Sequence, residues 1–138
     1  MNKRPQELTL TFEKGGTFKA RLLWEKAPRT CETIVTATPI AASEVRWGEI
    51  IGDECYFTTG ISLDVMENTV YPVPGTLSFN PDPKWKAFIV YYGDNLKLTK
   101  TFSQFAQVET DLEGLKEVGR RIERDGPEGV RITSSGNP

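Results

Sequence analysis

Histidine is absent from the 138-residue sequence, and cysteine occurs only twice, as Cys31 and Cys55. Without histidine, the chain cannot form a His-based catalytic triad, a His-containing zinc site or the usual general base at neutral pH. Two cysteines are too few for a thiolate zinc site, and both lie among apolar residues, so we expect free, buried thiols. We therefore expect no metal or cofactor, and any proton transfer would depend on carboxylates, arginine or lysine.

An excess of charge of one sign and a long apolar run are also missing. The net charge is −2, with acidic and basic residues interspersed, which argues against a general binder of nucleic acid phosphates. No apolar run approaches the ~18 residues that a membrane span needs, and residues 1–5 show no signal-peptide core. We expect a cytoplasmic protein that contacts neither nucleic acid nor membrane.

The residues that are present have globular proportions, with 38% hydrophobic and 26% charged residues. A chain of this length typically forms one domain and buries roughly two thirds of its unfolded surface. We therefore expect a single domain over residues 1–138, with loose termini at residues 1–6 and 134–138.

The most informative stretch runs from Val73 to Gly93. A Pro-Gly turn and a short alternating strand lead to a proline-containing turn at residues 80–83, and a second strand returns over residues 85–92. From Ala87 onward this second strand is apolar on both faces. Such a strand either lies between two layers or faces a core on one side and a binding surface on the other.

Alternation and turn residues predict further strands on both sides of this hairpin, at residues 8–12, 18–24, 43–47, 54–58, 102–108 and 130–133. Helical spacing predicts two helices, near Pro28–Ala37 and Asp111–Arg124, the second opened by a capping box from Thr110 to Glu113. Residues 61–71 and 94–101 are expected to be loops. Because the helices are widely separated, the pattern favours a mainly β fold: a closed antiparallel barrel of about eight strands with two capping helices.

Short phrases in the same order resemble the cyclophilin family across nearly the whole chain. They are Ala27-Pro28-Arg29-Thr30, the run from Pro74 to Phe79, Ala87-Phe88-Ile89, the run from Phe105 to Val108, and the run from Gly129 to Thr133. Further phrases are similar to small uncharacterised bacterial and archaeal cyclophilin-like proteins. These are Trp47-Gly48-Glu49, Tyr56-Phe57, Met66-Glu67-Asn68 and Tyr92-Gly93.

Because the chain resembles cyclophilins, its residues can be compared with those that peptidyl-prolyl cis-trans isomerase activity needs. That reaction lowers the barrier of about 18–20 kcal/mol to rotation about an amide bond, by means of an arginine donor and an apolar proline pocket. Arg46 falls at the position of the family's catalytic arginine, and Phe88 at that of the phenylalanine on the pocket floor. Other groove positions differ: Ile51, Gly52 and Glu54 stand for Phe, Met and Gln. Lys97 replaces the loop tryptophan, and Phe102 replaces the histidine.

The predicted site is a shallow groove in which Arg46 projects beside Phe88. Its remaining members are expected to be Trp47, Phe79 and Phe102, with Glu49 as an acid or base if burial raises its pKa. A structural role is the alternative for each: Arg46 paired with a neighbouring glutamate, Trp47 as a wall residue, and the two phenylalanines in the core.

Two classes of function remain open at this stage. The first is a binding domain that holds a peptide segment or a small ligand without efficient isomerase activity. The second is an enzyme, either a prolyl isomerase or an uncharacterised activity that uses Arg46 and Glu49. The altered groove favours the binding domain. The oligomeric state is not indicated by the sequence.

Overall fold

Eight β-strands and two α-helices form between residues 4 and 135, the part of the chain that the computed structural model describes. The strands are β1 (Glu7–Phe12), β2 (Thr17–Leu22), β3 (Ile40–Trp47), β4 (Gly52–Thr58), β5 (Thr76–Asn80), β6 (Ala87–Leu96), β7 (Ser103–Val108) and β8 (Glu128–Ser134). The helices are α1 (Pro28–Ala37), between β2 and β3, and α2 (Leu112–Asp125), between β7 and β8.

The strands close into a barrel in the order β1-β2-β7-β5-β6-β4-β3-β8. Every neighbouring pair is antiparallel. Each strand therefore has a hydrogen-bonded neighbour on both sides, and closure leaves no free sheet edge. The mainly β barrel with two helices predicted from the sequence is confirmed.

A single hydrophobic core fills the barrel and continues onto both helices. Cys31 and Ile34 of α1 and Leu115, Val118 and Ile122 of α2 belong to the same buried cluster as the inward side chains of the strands. The spacing of these helical residues places them on one face, which is why each helix can lie against the barrel. Both helices therefore act as covers for the barrel interior.

Strand β6 is buried on both faces, as its sequence predicts. Phe88, Val90 and Tyr92 point into the barrel core, where the rings of Phe88 and Phe57 stack with centroids 5.1 Å apart. The alternate residues, Ala87, Ile89 and Tyr91, form a second buried cluster on the outer face. The outer face is therefore an additional apolar surface, and its neighbours decide what the protein can bind.

The 61–73 segment contains no helix or strand. It lies beside the end of β6 and the start of β7. Asn68 donates from Nδ2 to the carbonyl oxygen of Gln104 at 2.8 Å, and the amide of Glu67 donates to Ser103 Oγ at 2.9 Å. Tyr71 reaches the carbonyl oxygen of Leu96 at 3.5 Å. The loop predicted at residues 61–71 is thus attached to β6 and β7 by hydrogen bonds that involve side chains.

The same segment, residues 61–73, also caps helix α1. Ala27, the residue before the helix, provides no side-chain cap. The Glu67 carboxylate instead accepts hydrogen bonds from the amide and hydroxyl of Thr30, at 2.8 and 2.9 Å. Burial alone would raise the pKa of Glu67, but the hydrogen bonds from Thr30 and Arg29 lower it. A negative charge at this end of a helix stabilises the unpaired amides.

Helix α2 begins differently from the prediction. Asp111, not Thr110, is the capping residue, and its carboxylate accepts from the amide of Gly114 at 3.1 Å. Asp111 has φ of 53°, a left-handed conformation that aspartate tolerates better than threonine does. The predicted capping box at Thr110–Glu113 is therefore wrong: the cap lies one residue later, and Gly114 has no side chain that could complete a box.

Several strands extend beyond their predicted bounds, and two of these extensions shorten a predicted loop or terminus. Strand β6 continues to Leu96 because Gly52 of β4 pairs with Leu96 after a register shift; the predicted loop at 94–101 is correspondingly shorter. Strand β8 includes Ser134, and the amide of Ser135 donates to the Glu7 carbonyl oxygen. The outermost parts of the predicted loose termini, residues 1–3 and 136–138, lie outside the described residues.

Candidate functional site

A cavity of about 460 Å³ opens on the outer face of β4 and β6. We call it the outer cavity. Its floor comes from the outward side chains of the barrel, and its walls come from the turn at residues 48–51 and the connection at residues 98–102. The lining residues are Trp47, Gly48, Glu49, Ile50, Ile51, Glu54, Tyr56, Asn80, Trp85, Ala87, Ile89, Leu98, Thr99, Lys100 and Phe102. The volume lies within the range of small-molecule sites.

Aromatic side chains form much of the outer cavity. Tyr56 and Trp85 meet edge to face, with ring centroids 6.3 Å apart. Trp47 is fixed by a hydrogen bond from its indole nitrogen to the carbonyl oxygen of Gly52, at 2.7 Å. Phe102 stands on the connection wall, with the Lys100 ammonium 5.7 Å from its ring centroid. Such walls offer flat apolar area for a planar ligand and negative ring faces for a cation.

Glu54 places a carboxyl group in this apolar surrounding. Glu54 is only 6% exposed, yet its side chain makes no hydrogen bond or ion pair within residues 4–135. The other two buried carboxylates differ in this respect. Asp53 pairs with Arg120 at 2.8 Å, and Glu128 pairs with Arg121 at 2.8 Å. Among these three, Glu54 alone lines the outer cavity.

Burial raises the pKa of Glu54 to about 7, from an ordinary value of 4.5. The cause is desolvation, which penalises the charged form when no cation compensates it. Near neutral pH the carboxyl group is thus poised between its neutral and its charged form. A carboxyl in this state can accept a proton, donate one, or be ionised by a bound cation.

Gly48 provides the space in which the Glu54 carboxyl lies. A Cβ atom added to Gly48 would come within 2.1 Å of Glu54 Oε2. The turn at residues 48–51 is held to β4 at this point, because the amide of Gly48 donates to the Glu54 carbonyl oxygen at 2.8 Å. The glycine therefore sets the position of the carboxyl group within the cavity.

Further polar groups are buried on the same outer face. The hydroxyls of Tyr91 and Ser78 lie close to each other; apart from this contact, neither they nor the side-chain oxygen of Gln104 has a hydrogen-bond partner within residues 4–135. Tyr91 is the register partner of Glu54. Burial raises the pKa of Tyr91, and the nearby Glu54 charge raises it further. The phenol therefore remains neutral beside the carboxyl group.

Arg46 lies in a different place. Its register partner is Tyr56, and it lines a second cavity of about 470 Å³ together with residues 41–44, Thr58 and Trp85. Its guanidinium pairs with Glu44 and is half exposed. This ion pair matches the structural alternative considered for Arg46, and a pair so exposed contributes little to stability.

The structure brings together only part of the predicted site. Trp47, Glu49 and Phe102 line the outer cavity, and Trp47 also packs against the barrel core, as a wall residue does. Phe79 and Phe88 are fully buried inside the barrel. The predicted arrangement of Arg46 beside Phe88 is wrong: on their strands Arg46 points outward and Phe88 points inward, so the barrel wall separates them.

Sequence reasoning missed the importance of Glu54, Tyr56 and Trp85. The signal was the alternation of β4, in which Cys55 and Phe57 point inward and Glu54 and Tyr56 must point outward beside the two-faced strand β6. Trp85 lies in the turn between β5 and β6. It is 43% exposed, and it contributes to both cavities.

The two cysteines are free and buried, as predicted. Cys31 donates to the carbonyl oxygen of Phe105 at 3.4 Å, and burial raises its pKa to about 12. Within residues 4–135, no group of three or more acidic or cysteine side chains is arranged to hold a metal ion. In the same range, no helix is long and apolar enough to cross a membrane.

The chain folds as a closed eight-stranded barrel with a cavity of small-molecule size on its outer face. It belongs to the family described as protein of unknown function DUF3830, which matches residues 8–134. No curated protein matches the sequence.

Among the solved structures that share the fold are McbB and AF2241. McbB in complex with tryptophan superimposes with a TM-score of 0.79 at 21% identity, over 95% of this chain and 45% of that one. The chain thus spans less than half of McbB. The solution structure of the hypothetical protein AF2241 from Archaeoglobus fulgidus gives a TM-score of 0.71 at 27% identity, over 98% of this chain and all of that one (100%).

Proposed function

We propose that the protein binds a small planar ligand in the outer cavity. The observation that carries this proposal is the combination of an aromatic, small-molecule-sized cavity with one buried, unpaired carboxyl group, Glu54. Ligand sites are typically apolar cavities in which few polar groups fix orientation. The outer cavity has this composition. The second cavity also has aromatic residues, Tyr56, Phe57 and Trp85, but its two charged residues, Glu44 and Arg46, already pair with each other.

The structural neighbours support a small molecule over a peptide as the first ligand to test. McbB was solved with tryptophan, a molecule with a planar ring and two charged groups. The likeness in fold does not transfer that ligand, but it makes tryptophan a reasonable probe. The enclosed walls at residues 48–51 and 98–102 also suit a compact ligand better than an extended chain.

The finer assignment, a cyclophilin-like domain, belongs to the same proposal. It is supported by the order of the sequence phrases and by a closed barrel covered by two helices. Prolyl isomerase activity is the weaker alternative, because it would need an arginine beside an apolar proline pocket. Arg46 pairs with Glu44 on the outside, while Phe88 lies in the core. We infer a binding domain that isomerises poorly.

The proposal is tested by calorimetric titration of the protein with tryptophan and with indole. The variant Ala87→Leu adds apolar bulk to the floor of the outer cavity, where Ala87 is 3% exposed. Its matched control is Ala41→Leu, which adds the same bulk in the second cavity. We expect binding to the wild type and to Ala41→Leu, and at least about tenfold weaker binding to Ala87→Leu. Loss of binding in Ala41→Leu alone would move the site to the second cavity.

A further inference from the structure

Glu54 is placed so that a positively charged group of a ligand could pair with its carboxyl group. The residue is nearly buried; its carboxyl group lies over Gly48 and has no hydrogen-bond partner within residues 4–135, while its surroundings are aromatic. Buried carboxylates are normally paired or hydrogen-bonded. In this chain Asp53 and Glu128 follow that rule through arginines of α2. The exception lines the outer cavity.

We propose that Glu54 selects the class of ligand: the outer cavity takes protonated aromatic amines in preference to aromatic acids of the same shape. This inference rests on the proposed function and deepens it. An ammonium group beside Glu54 would form a charge-assisted hydrogen bond to the carboxylate. The ring of the same ligand would lie against the aromatic walls, which also favour a cation.

The other charged and titratable groups around the cavity do not provide an equivalent anchor. From the turn at residues 48–51, Glu49 is exposed and adds a second negative charge at the rim. Tyr91 of β6 carries an uncharged phenol. From the connection at residues 98–102, Lys100 is exposed at the rim, near the Phe102 ring. Tyr56 of β4 adds a phenol. The buried charge is therefore negative, and the cation is at the edge.

Binding of an amine would draw a proton away from Glu54. Because burial raises the pKa of this carboxyl to about 7, the group is largely neutral below that pH and must ionise before it can pair with an ammonium. Affinity for an amine should therefore weaken by up to tenfold for each pH unit below 7. A neutral ligand of the same shape should show no such dependence.

The test uses three probes that share one ring: tryptamine, indole-3-propionate and 3-methylindole. Their affinities are measured calorimetrically at pH 8 and pH 5.5 for the wild type, Glu54→Gln and the distant control Glu117→Gln, which is exposed on α2. We expect the wild type to bind tryptamine at least about tenfold more tightly than indole-3-propionate at pH 8. The affinity of the wild type for tryptamine should be about 30-fold weaker at pH 5.5 than at pH 8. Glu54→Gln should lose both effects, and Glu117→Gln should keep them.

Gly48→Ala provides a second variant that retains the carboxyl group but displaces it. The nearest atoms to the added methyl group would all belong to the Glu54 side chain and none to the backbone, so we expect folding to persist and the amine preference to fall. At pH 8, a preference for indole-3-propionate would indicate anchoring at Lys100 and would overturn the inference, as would equal binding of all three probes. In both cases the proposed function would stand. Failure of every probe to bind would contradict the inference and the proposed function together.

Discussion

Replacement of Glu54 by glutamine should make the protein more stable at alkaline pH. The carboxyl pKa is raised by burial from 4.5 to about 7 in the folded chain. Each unit of difference between the folded and unfolded pKa is worth about 1.4 kcal/mol. Below pH 4.5 the carboxyl is neutral in both the folded and the unfolded state, so it does not lower the free energy of unfolding. Above pH 7 it is charged in both, and burial of that charge costs about 3 kcal/mol.

Urea unfolding of the wild type and Glu54→Gln between pH 4.5 and pH 8.5 measures this cost. The free energy of unfolding of the variant, relative to the wild type, should rise by about 3 kcal/mol across this range, with most of the change between pH 5 and pH 7. Other titrating groups cancel in the difference. Glu117→Gln, an exposed change on α2, should differ from the wild type by no more than about 0.5 kcal/mol. A Glu54→Gln difference that is constant with pH would refute the reasoning.

Three further predictions concern the rest of the chain. Thiol titration should find Cys31 and Cys55 unreactive in the native protein and two reactive groups after unfolding, because both are buried; rapid native labelling would contradict their burial. Glu67→Ala should lower the free energy of unfolding by about 1–2 kcal/mol in urea titrations, because the cap of α1 is lost; no change would show that water replaces the cap. Arg46→Ala should leave a proline-peptide isomerisation assay at the level of the wild type, which we expect to be low; strong catalysis abolished by this change would restore the isomerase.

The barrel could be predicted because its strands carry their own signals. Alternation marked the inward residues of β1 and β2, and double-sided apolarity marked β6 as a strand between the core and a second buried surface. Helix α1 was predicted with both ends correct, since Pro28 favours a first turn and Pro39 cannot continue the helix. These signals are local, so a single sequence contains them.

The site was harder to predict because its properties come from distant segments. The sequence of β4 shows that Glu54 points to the outer face. Its burial, however, depends on Gly48, on β6 and on the wall at residues 98–102. In the same way, the cap of α1 is supplied by Glu67, 37 residues from Thr30. Since β6 is apolar on both faces, nothing local indicated that Phe88 would point inward, and Arg46 was therefore paired with the wrong side of the barrel.

A crystal structure of the protein with tryptamine at pH 8 tests the central claim most directly. The claim predicts the indole ring in the outer cavity, among Trp47, Tyr56 and Phe102, with the ammonium nitrogen at about 2.7–2.9 Å from a carboxylate oxygen of Glu54. A ligand bound in the second cavity beside Arg46, or bound in the outer cavity with its amine directed away from Glu54, would contradict it.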